Sequence, residues 1–375
     1  MQIKNVCAIE PGPGGANKGV GGIRRVKKVS PPAKANVEGP AYHSRFHRFG
    51  GVRSDSEVAP DAVHRQWTKA DGAQAVIEII DTRIVLVTAF EGAVVRRRIG
   101  GLGLFYRPVN PDAVAPDGEL PPLVVRSHGG PTANAANALD LTCQYLTSRG
   151  IAVVDVDYGG STGYGREYRK ALEGEWGVVD VDDCVGAARY LVDRGDVDGE
   201  RLAIEGGSAG GYTTLAALAF RDQFAAGITA FGIADLEMLV RDSHKFESHY
   251  EEGLIGPYPA MADRYRDRSP IHHLDAISVP VLILQGLEDK VVPPAQAEAL
   301  AAALAARGVP HAYLAFEGEG HGFRGEAAQR RTLEAHLAFL GAVFGFTPAD
   351  DLPPLEVHGI EDWARPSPVA HGSIA

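Results

Sequence analysis

The sequence predicts an α/β fold built on a doubly wound, mostly parallel sheet, and two observations carry that expectation. From about residue 98 to 346, compact apolar runs of strand length alternate with stretches of helical period. The runs are apolar throughout rather than at every second residue, which is the pattern of strands covered on both faces.

The elements follow in order. Residues 1–60 hold fifteen glycines or prolines and show no sustained period, so an irregular segment is expected over 1–97. Inside it, AVIEIIDTRIVLVTAF (75–90) reads as one or two strands with Asp81–Thr82 at a turn, and Leu102–Tyr106 as another short run. A Pro- and Asp-rich loop over 108–122 leads to PLVVRS (122–127), a compact strand ended by Gly129-Gly130-Pro131. A helical stretch over 136–148 stops at Gly150, and IAVVDVD (151–157) is the next strand. Val181, Val185, Ala188 and Val192 share one face of a helix over 180–193. RLAIEGG (201–207) is a third strand, followed by the helical TTLAALAF. AAGITAF (225–231), VPVLILQG (279–286) and HAYLAFEG (311–318) supply three more. Between the last two, Pro293–Pro294 opens a helix carrying Leu300 and Leu304, and Gly308 closes it. The Pro-rich segment 347–375 is expected to be a loose surface tail, and no internal repeat is present.

Composition narrows the function classes. The chain has 375 residues, 45% of them hydrophobic and 23% charged, an ordinary globular balance. No run approaches the roughly 18 apolar residues of a membrane span, so no membrane partner is expected. The opening MQIKNVCAIEPGPGG lacks the apolar stretch of a secretory signal. Three scattered cysteines suit neither a disulfide framework nor a zinc knot. The expectation is a cytoplasmic protein with no cofactor and no metal. The net charge of −11 divides into +6 over residues 1–60 and −17 over the rest. Phosphate binding needs clustered cations, so an acidic body argues against nucleic acid as a partner. The basic start reads as a solvated segment.

The residues that carry chemistry lie at strand ends. Gly206-Gly207-Ser208-Ala209-Gly210-Gly211 stands between a strand and a helix, the context of a Gly-x-Ser-x-Gly nucleophile elbow. A serine on so tight a turn holds strained dihedrals, and small neighbours let the turn close. The bland alternative is a glycine-rich turn whose serine only caps the helix. A hydroxyl needs a base before it becomes a nucleophile. In α/β-hydrolases the order along the chain is Ser, acid, His. Asp289, in Gly286-Leu287-Glu288-Asp289, takes the place of the acid, with Glu288 its adjacent rival and helix capping its bland alternative. His321, in Gly318-Glu319-Gly320-His321-Gly322, takes the place of the base. Ser127-His128-Gly129-Gly130-Pro131 reads as an oxyanion loop, with the backbone N–H groups of Gly130 and Ala209 as donors and His128 as a buttress. Tyr212, Ile233 and Leu236 are candidates for an apolar substrate pocket, with core packing as the alternative. Gly159-Gly160-Ser161-Thr162-Gly163 lacks the Gly-Lys-Ser/Thr ending of a phosphate loop. His43 and His47 have helical metal-ligand spacing where no helix is expected, and Cys184 reads as a small core residue.

Taken together, residues 121–346 resemble the catalytic domain of the prolyl oligopeptidase family of serine peptidases. The branch they most resemble contains the acylaminoacyl-peptidases and dipeptidyl-peptidases. The motifs are SHGGP (127–131), DYGGSTGYGREY (157–168), WGVVDVDD (176–183), GGSAGGY (206–212), SHKFES (243–248), RSPIHH (268–273), QGLEDKVVPP (285–294) and FEGEGHGFR (316–324). The resemblance implies an α/β-hydrolase fold and an acyl-enzyme mechanism, with Ser208 as nucleophile, His321 as base and acid, and Asp289 orienting the imidazole. It implies short peptides or acylated amino acids as substrates. Members of the family carry an N-terminal β-propeller, which at about 40 residues a blade needs about 280 residues for seven blades. The expectation is therefore an irregular N-terminal segment in place of a propeller, or a remnant around 75–106. Two further readings stay open: a broad esterase using the same triad, and a catalytically silent fragment. A hydrolase without its propeller exposes an apolar rim, so a homo-oligomer is expected. Light scattering at micromolar concentration should give a mass above the 39.8 kDa of one chain, and a monomer would remove this expectation.

Overall fold

The computed structural model describes residues 101–363, apart from 111, 112, 114 and 243–249, together with three earlier strands. Those are β1 (Val63–Trp67), β2 (Ala75–Ile79) and β3 (Ile84–Phe90). The basic start, Cys7, the His43/His47 pair and the SHKFES motif lie outside the described residues.

The α/β part follows the apolar runs. Its strands are β4 (Gly101–Tyr106), β5 (Leu123–Ser127), β6 (Ala152–Asp157), β7 (Leu202–Gly207), β8 (Ala226–Ala230), β9 (Val281–Gly286) and β10 (His311–Phe316). The principal helices are α1 (Leu141–Thr147), α3 (Val179–Asp193), α4 (Ala209–Phe220), α8 (Pro294–Ala306) and α9 (Glu326–Phe344). Four short helices lie between them: α2 (Arg166–Lys170), α5 (Leu236–Asp242), α6 (Tyr250–Leu254) and α7 (Ala262–Asp267). The expected helix over 136–148 is shorter because Asp140 caps α1, its carboxylate accepting the Cys143 N–H at 3.0 Å.

All ten described strands share one sheet in the order β1-β2-β3-β4-β6-β5-β7-β8-β9-β10. Neighbours from β6 to β10 run parallel, and those from β1 through β4 to β6 run antiparallel. Continuous apolar runs arise because alternate residues feed two cores. Leu123, Val125, Leu202, Ile204, Val281 and Ile283 pack in one with α3, α4 and α8. Val124, Ala203, Leu282 and Leu284 pack in the other with α1 and α9. Each strand side chain points to the face opposite its neighbour's, so both layers need apolar residues.

The strands expected over 75–90 are present as β2 and β3, and together with β1 they extend the main sheet through the β3–β4 pairing. The tail, expected to be loose, is packed over its described part. Val357 is buried, and Leu352, Leu355, Ile360 and Trp363 pack on the α9 core. His311 and His358 exchange backbone hydrogen bonds of 3.1 and 2.8 Å, while Arg331 reaches the carbonyls of Pro353 and Pro354. Proline-rich sequence suppresses helix and strand but leaves apolar side chains free to pack.

The order of strands matters for function. The chain lays β6 on one side of β5 and β7 on the other, so the loops after β5 and β7 diverge and leave a crevice at the carboxyl ends. A charge at Val357 would be buried without a partner. Val357→Asp should lower the thermal midpoint by roughly 5 °C or more, about 2 kcal/mol for a domain of this size. An unchanged midpoint would mean that the tail does not hold on to the core.

Candidate active site

The nucleophile candidate sits where β7 becomes α4. Ser208 has φ 57° and ψ −123°, a left-handed conformation costly for any residue with a Cβ. Its N–H donates to Ala230 O at 3.0 Å, which ties the turn to the end of β8. The turn is pressed onto β5 as well. A Cβ on Gly210 would stand 2.0 Å from Ser127 O, so only glycine lets the backbones approach this closely. Ser127 Oγ lies 2.9 Å from Gly210 O and 3.2 Å from Glu205 O.

Loops from the next strands bring the partners. Asp289 follows β9 and is buried; its Oδ1 accepts the N–H groups of Val291 and Val292 at 2.8 and 2.9 Å. Its Oδ2 stands 2.8 Å from His321 Nδ1, and His321 Nε2 stands 2.9 Å from Ser208 Oγ. The side chain of Glu288, the rival acid, belongs to an exposed residue. Burial alone would push the Asp289 carboxyl up, but the hydrogen bonds from His321 and from the Val292 and Val291 amides outweigh it. They hold the carboxyl below its ordinary 3.8. The Nδ1–Asp289 contact fixes the ring so that Nε2 is the atom facing the serine.

Glu319 holds the histidine loop in shape. It is buried, and its two carboxylate oxygens accept the N–H groups of Gly325 and Arg324 at 2.8 and 2.7 Å. Its carbonyl accepts the Glu288 N–H at 2.8 Å, so the loops bearing Asp289 and His321 are hydrogen-bonded to each other. A cleft of about 510 Å³ opens over this loop, bordered by Glu319, His321 and Arg324.

Gly129 lies beside the serine, where a Cβ would come within 3.2 Å of Gly207 O and 3.7 Å of Ser208 Cβ. Gly130 follows at φ 123°, and Ala209 opens α4 directly after the serine. The loop between them is braced by His128. Its ring stacks on Tyr158 with centroids 4.2 Å apart, Nδ1 lies 2.8 Å from Gly129 O, and Nε2 lies 2.6 Å from Ser161 Oγ. Burial pushes the imidazole down to about 4, so His128 is neutral at ordinary pH.

The three expected pocket residues are placed in the core. Tyr212, on α4, and Leu236 are 0% exposed and Ile233 3%, and all three belong to the apolar cluster that contains the buried face of α4. The Tyr212 ring packs on Trp176 at 4.6 Å and its hydroxyl donates to Arg268 O. Sequence position beside the elbow cannot separate pocket lining from core. Nothing in the sequence pattern singles out Phe231 or Glu319. Phe231 stands at the end of β8 with its ring 4.8 Å from that of His321. The available signal was a large aromatic at the carboxyl end of the strand between the serine and acid strands. Glu319 was legible only as an acidic residue among glycines. Among the described residues, no group of three or more His, Cys, Asp or Glu side chains could hold a metal ion. Also among them, no helix is long and apolar enough to cross a membrane.

A parallel sheet with this serine turn, and an acid and a histidine on later strand ends, defines an α/β-hydrolase. Residues 137–347 match the model of the prolyl oligopeptidase family, and the chain belongs to that family. A puromycin-hydrolyzing peptidase of Mycobacterium tuberculosis is similar at 45% identity and a TM-score of 0.70, over 78% of this chain and 47% of that one. A puromycin hydrolase is similar at 42% identity and a TM-score of 0.68, over 82% of this chain and 43% of its own. Dipeptidyl aminopeptidase BIII of Pseudoxanthomonas mexicana is 36% identical over 211 residues, 54% of this chain and 30% of that protein. The chain thus spans less than half the length of each of these three relatives.

The Asp289 carboxyl is held low in the folded state, so its ionised form stabilises the fold above the unfolded value. That contribution disappears as pH falls through the folded value. Asp289→Asn should therefore be less stable than the wild type by about 1 kcal/mol at neutral pH. The gap should close as pH drops below 3.8. Equal melting curves at neutral pH would show that the carboxylate contributes nothing.

Proposed function

We propose that the chain is a serine-type peptidase that hydrolyses short peptides, or N-acylated or dipeptidyl substrates, through an acyl-enzyme on Ser208. The single observation that carries this is the hydrogen-bonded chain Asp289–His321–Ser208, on the loops that follow β9, β10 and β7. The catalytic unit in this reading runs over about 98–346, to be set beside the family match at 137–347. Relatives named for dipeptidyl aminopeptidase, acylamino-acid-releasing and puromycin-hydrolysing activities support the substrate class. The two described cysteines, Cys143 and Cys184, are free, which suits a reducing, cytoplasmic setting.

The steps follow from the atoms. Ser208 Oγ attacks the scissile carbonyl carbon while His321 Nε2 accepts the hydroxyl proton, and the Asp289 carboxylate stabilises the imidazolium. The developing oxyanion takes hydrogen bonds from the N–H groups of Ala209 and Gly130, each worth about 10²–10³ in rate. Imidazolium then gives its proton to the departing amine. Water, deprotonated by the same imidazole, releases the acyl group and restores Ser208.

The test is labelling by a fluorophosphonate, with Ser208→Ala as control. Labelling of the folded wild type and its loss in the variant is the expected result; an unlabelled folded wild type overturns the proposal. With labelling established, p-nitroanilides and p-nitrophenyl esters of one acyl group separate peptidase from esterase. Turnover of the ester alone would favour the esterase reading.

A further inference from the structure

We propose that Phe231 is a positioning residue that holds the His321 imidazole in place; this rests on the reading of Ser208 and His321 above. Five observations converge on it. Among the described residues, only Ser208 and Phe231 combine a side chain with positive φ, and the two are hydrogen-bonded neighbours across the site: Ser208 N–H donates to Ala230 O, the carbonyl of the peptide that leads into Phe231. An outlying backbone persists only where its surroundings over-determine it, and such residues cluster at functional sites. The Phe231 N–H donates to Leu284 O at 2.7 Å, which fixes the strained residue to β9. Its ring meets the His321 ring at 4.8 Å and 62°, an edge-on contact of the favoured aromatic kind. The same ring meets Phe323 at 5.3 Å, and Phe323 in turn meets Phe316 at 4.6 Å, so His321 borders an aromatic row. Gly207 leaves the space that this ring needs, since a Cβ there would stand 2.9 Å from it.

The physical role follows. Asp289 holds Nδ1 but leaves the imidazole free to swing about that hydrogen bond. Phe231 closes the path, so Nε2 stays on the serine and, later, on the leaving group. A p-nitroanilide needs a proton from His321 as its nitrogen departs, whereas p-nitrophenolate leaves without one. Loosening the imidazole should therefore hurt the anilide more than the ester of the same acyl group. A residue that only lined an acyl pocket would affect both alike.

Phe231→Gly removes the ring and relieves the positive φ, so it should fold; Phe231→Tyr keeps the ring. In Phe231→Gly, kcat for the anilide should fall about tenfold or more, part of the 10²–10⁴ that a placed acid–base group supplies. KM should change little, the ester should lose distinctly less, and Phe231→Tyr should restore anilide turnover. A readout independent of activity is the downfield proton NMR signal of the Nδ1–H shared with Asp289. It should be present in the wild type and broadened or lost in Phe231→Gly. Equal losses on ester and anilide, or losses confined to KM, would overturn the proposal. An unchanged proton signal with unchanged turnover would do the same. If the wild type is neither labelled nor active, the peptidase reading fails by itself, and the proton signal still decides whether Phe231 holds the ring.

Discussion

The site depends on one steric condition, the passage of the backbone from β7 to α4 through Ser208 at positive φ. The turn is wedged between the end of β5, at Ser127, and the end of β8, at Ala230. Such a backbone costs about 1–3 kcal/mol and survives only if the flanking elements cannot relax. They cannot: α4 is buried from Ala209 to Ala219, and β7 is central in the sheet, paired on both edges. Burial of a helix on all sides is what makes it an anvil for the turn that precedes it.

The partners depend on the same sheet. Asp289 and His321 follow adjacent parallel strands, β9 and β10, paired in register with Gln285 opposite Ala315 and Gly286 opposite Phe316. Equal strand lengths bring both loops out at one level, and the hydrogen bond from Glu288 N–H to Glu319 O then couples them. Glu319 makes the coupling rigid by taking two amide protons of its own loop. The loop that carries the imidazole is thus placed by hydrogen bonds to its backbone before any ligand arrives, part of the preorganisation that acid–base chemistry requires.

Much of this was legible in the sequence, for physical reasons. A strand buried on both faces must be apolar at consecutive positions, so LVVRS, AVVDVD and VLILQG declare themselves. A serine at positive φ needs small neighbours, so the elbow declares itself too, and chain order then points to Asp289 and His321. What was not legible depends on which neighbours a side chain meets. Leu236 and Ile233 follow β8 on the way to the site, yet both turn into the core. Phe231, one step past the end of the same strand, turns toward His321 because its φ of 39° redirects it. No local pattern encodes that reversal. The described tail reads as loop by its prolines, yet Val357 and Trp363 pack against α9 because long-range burial does not require regular backbone.

The brace around His128 extends the same logic to the other side of the serine. A charged imidazole beside the expected oxyanion loop would attract negative charge, but it would also need solvation that the site lacks. Burial keeps it neutral, and a neutral ring has one proton to give. That proton is already engaged within the protein, because Nδ1 faces Gly129 O at 2.8 Å and Nε2 faces Ser161 Oγ at 2.6 Å, while the Ser161 hydroxyl donates to Tyr158 O. The ring therefore has no N–H left for a substrate oxyanion, and its effect passes through the position of Gly129 and Gly130. Stacking on Tyr158, whose hydroxyl donates to His128 O, holds both the ring and its backbone. The two histidines near the serine thus divide the work: His321 has a ring nitrogen facing Ser208, whereas both ring nitrogens of His128 are committed to the protein.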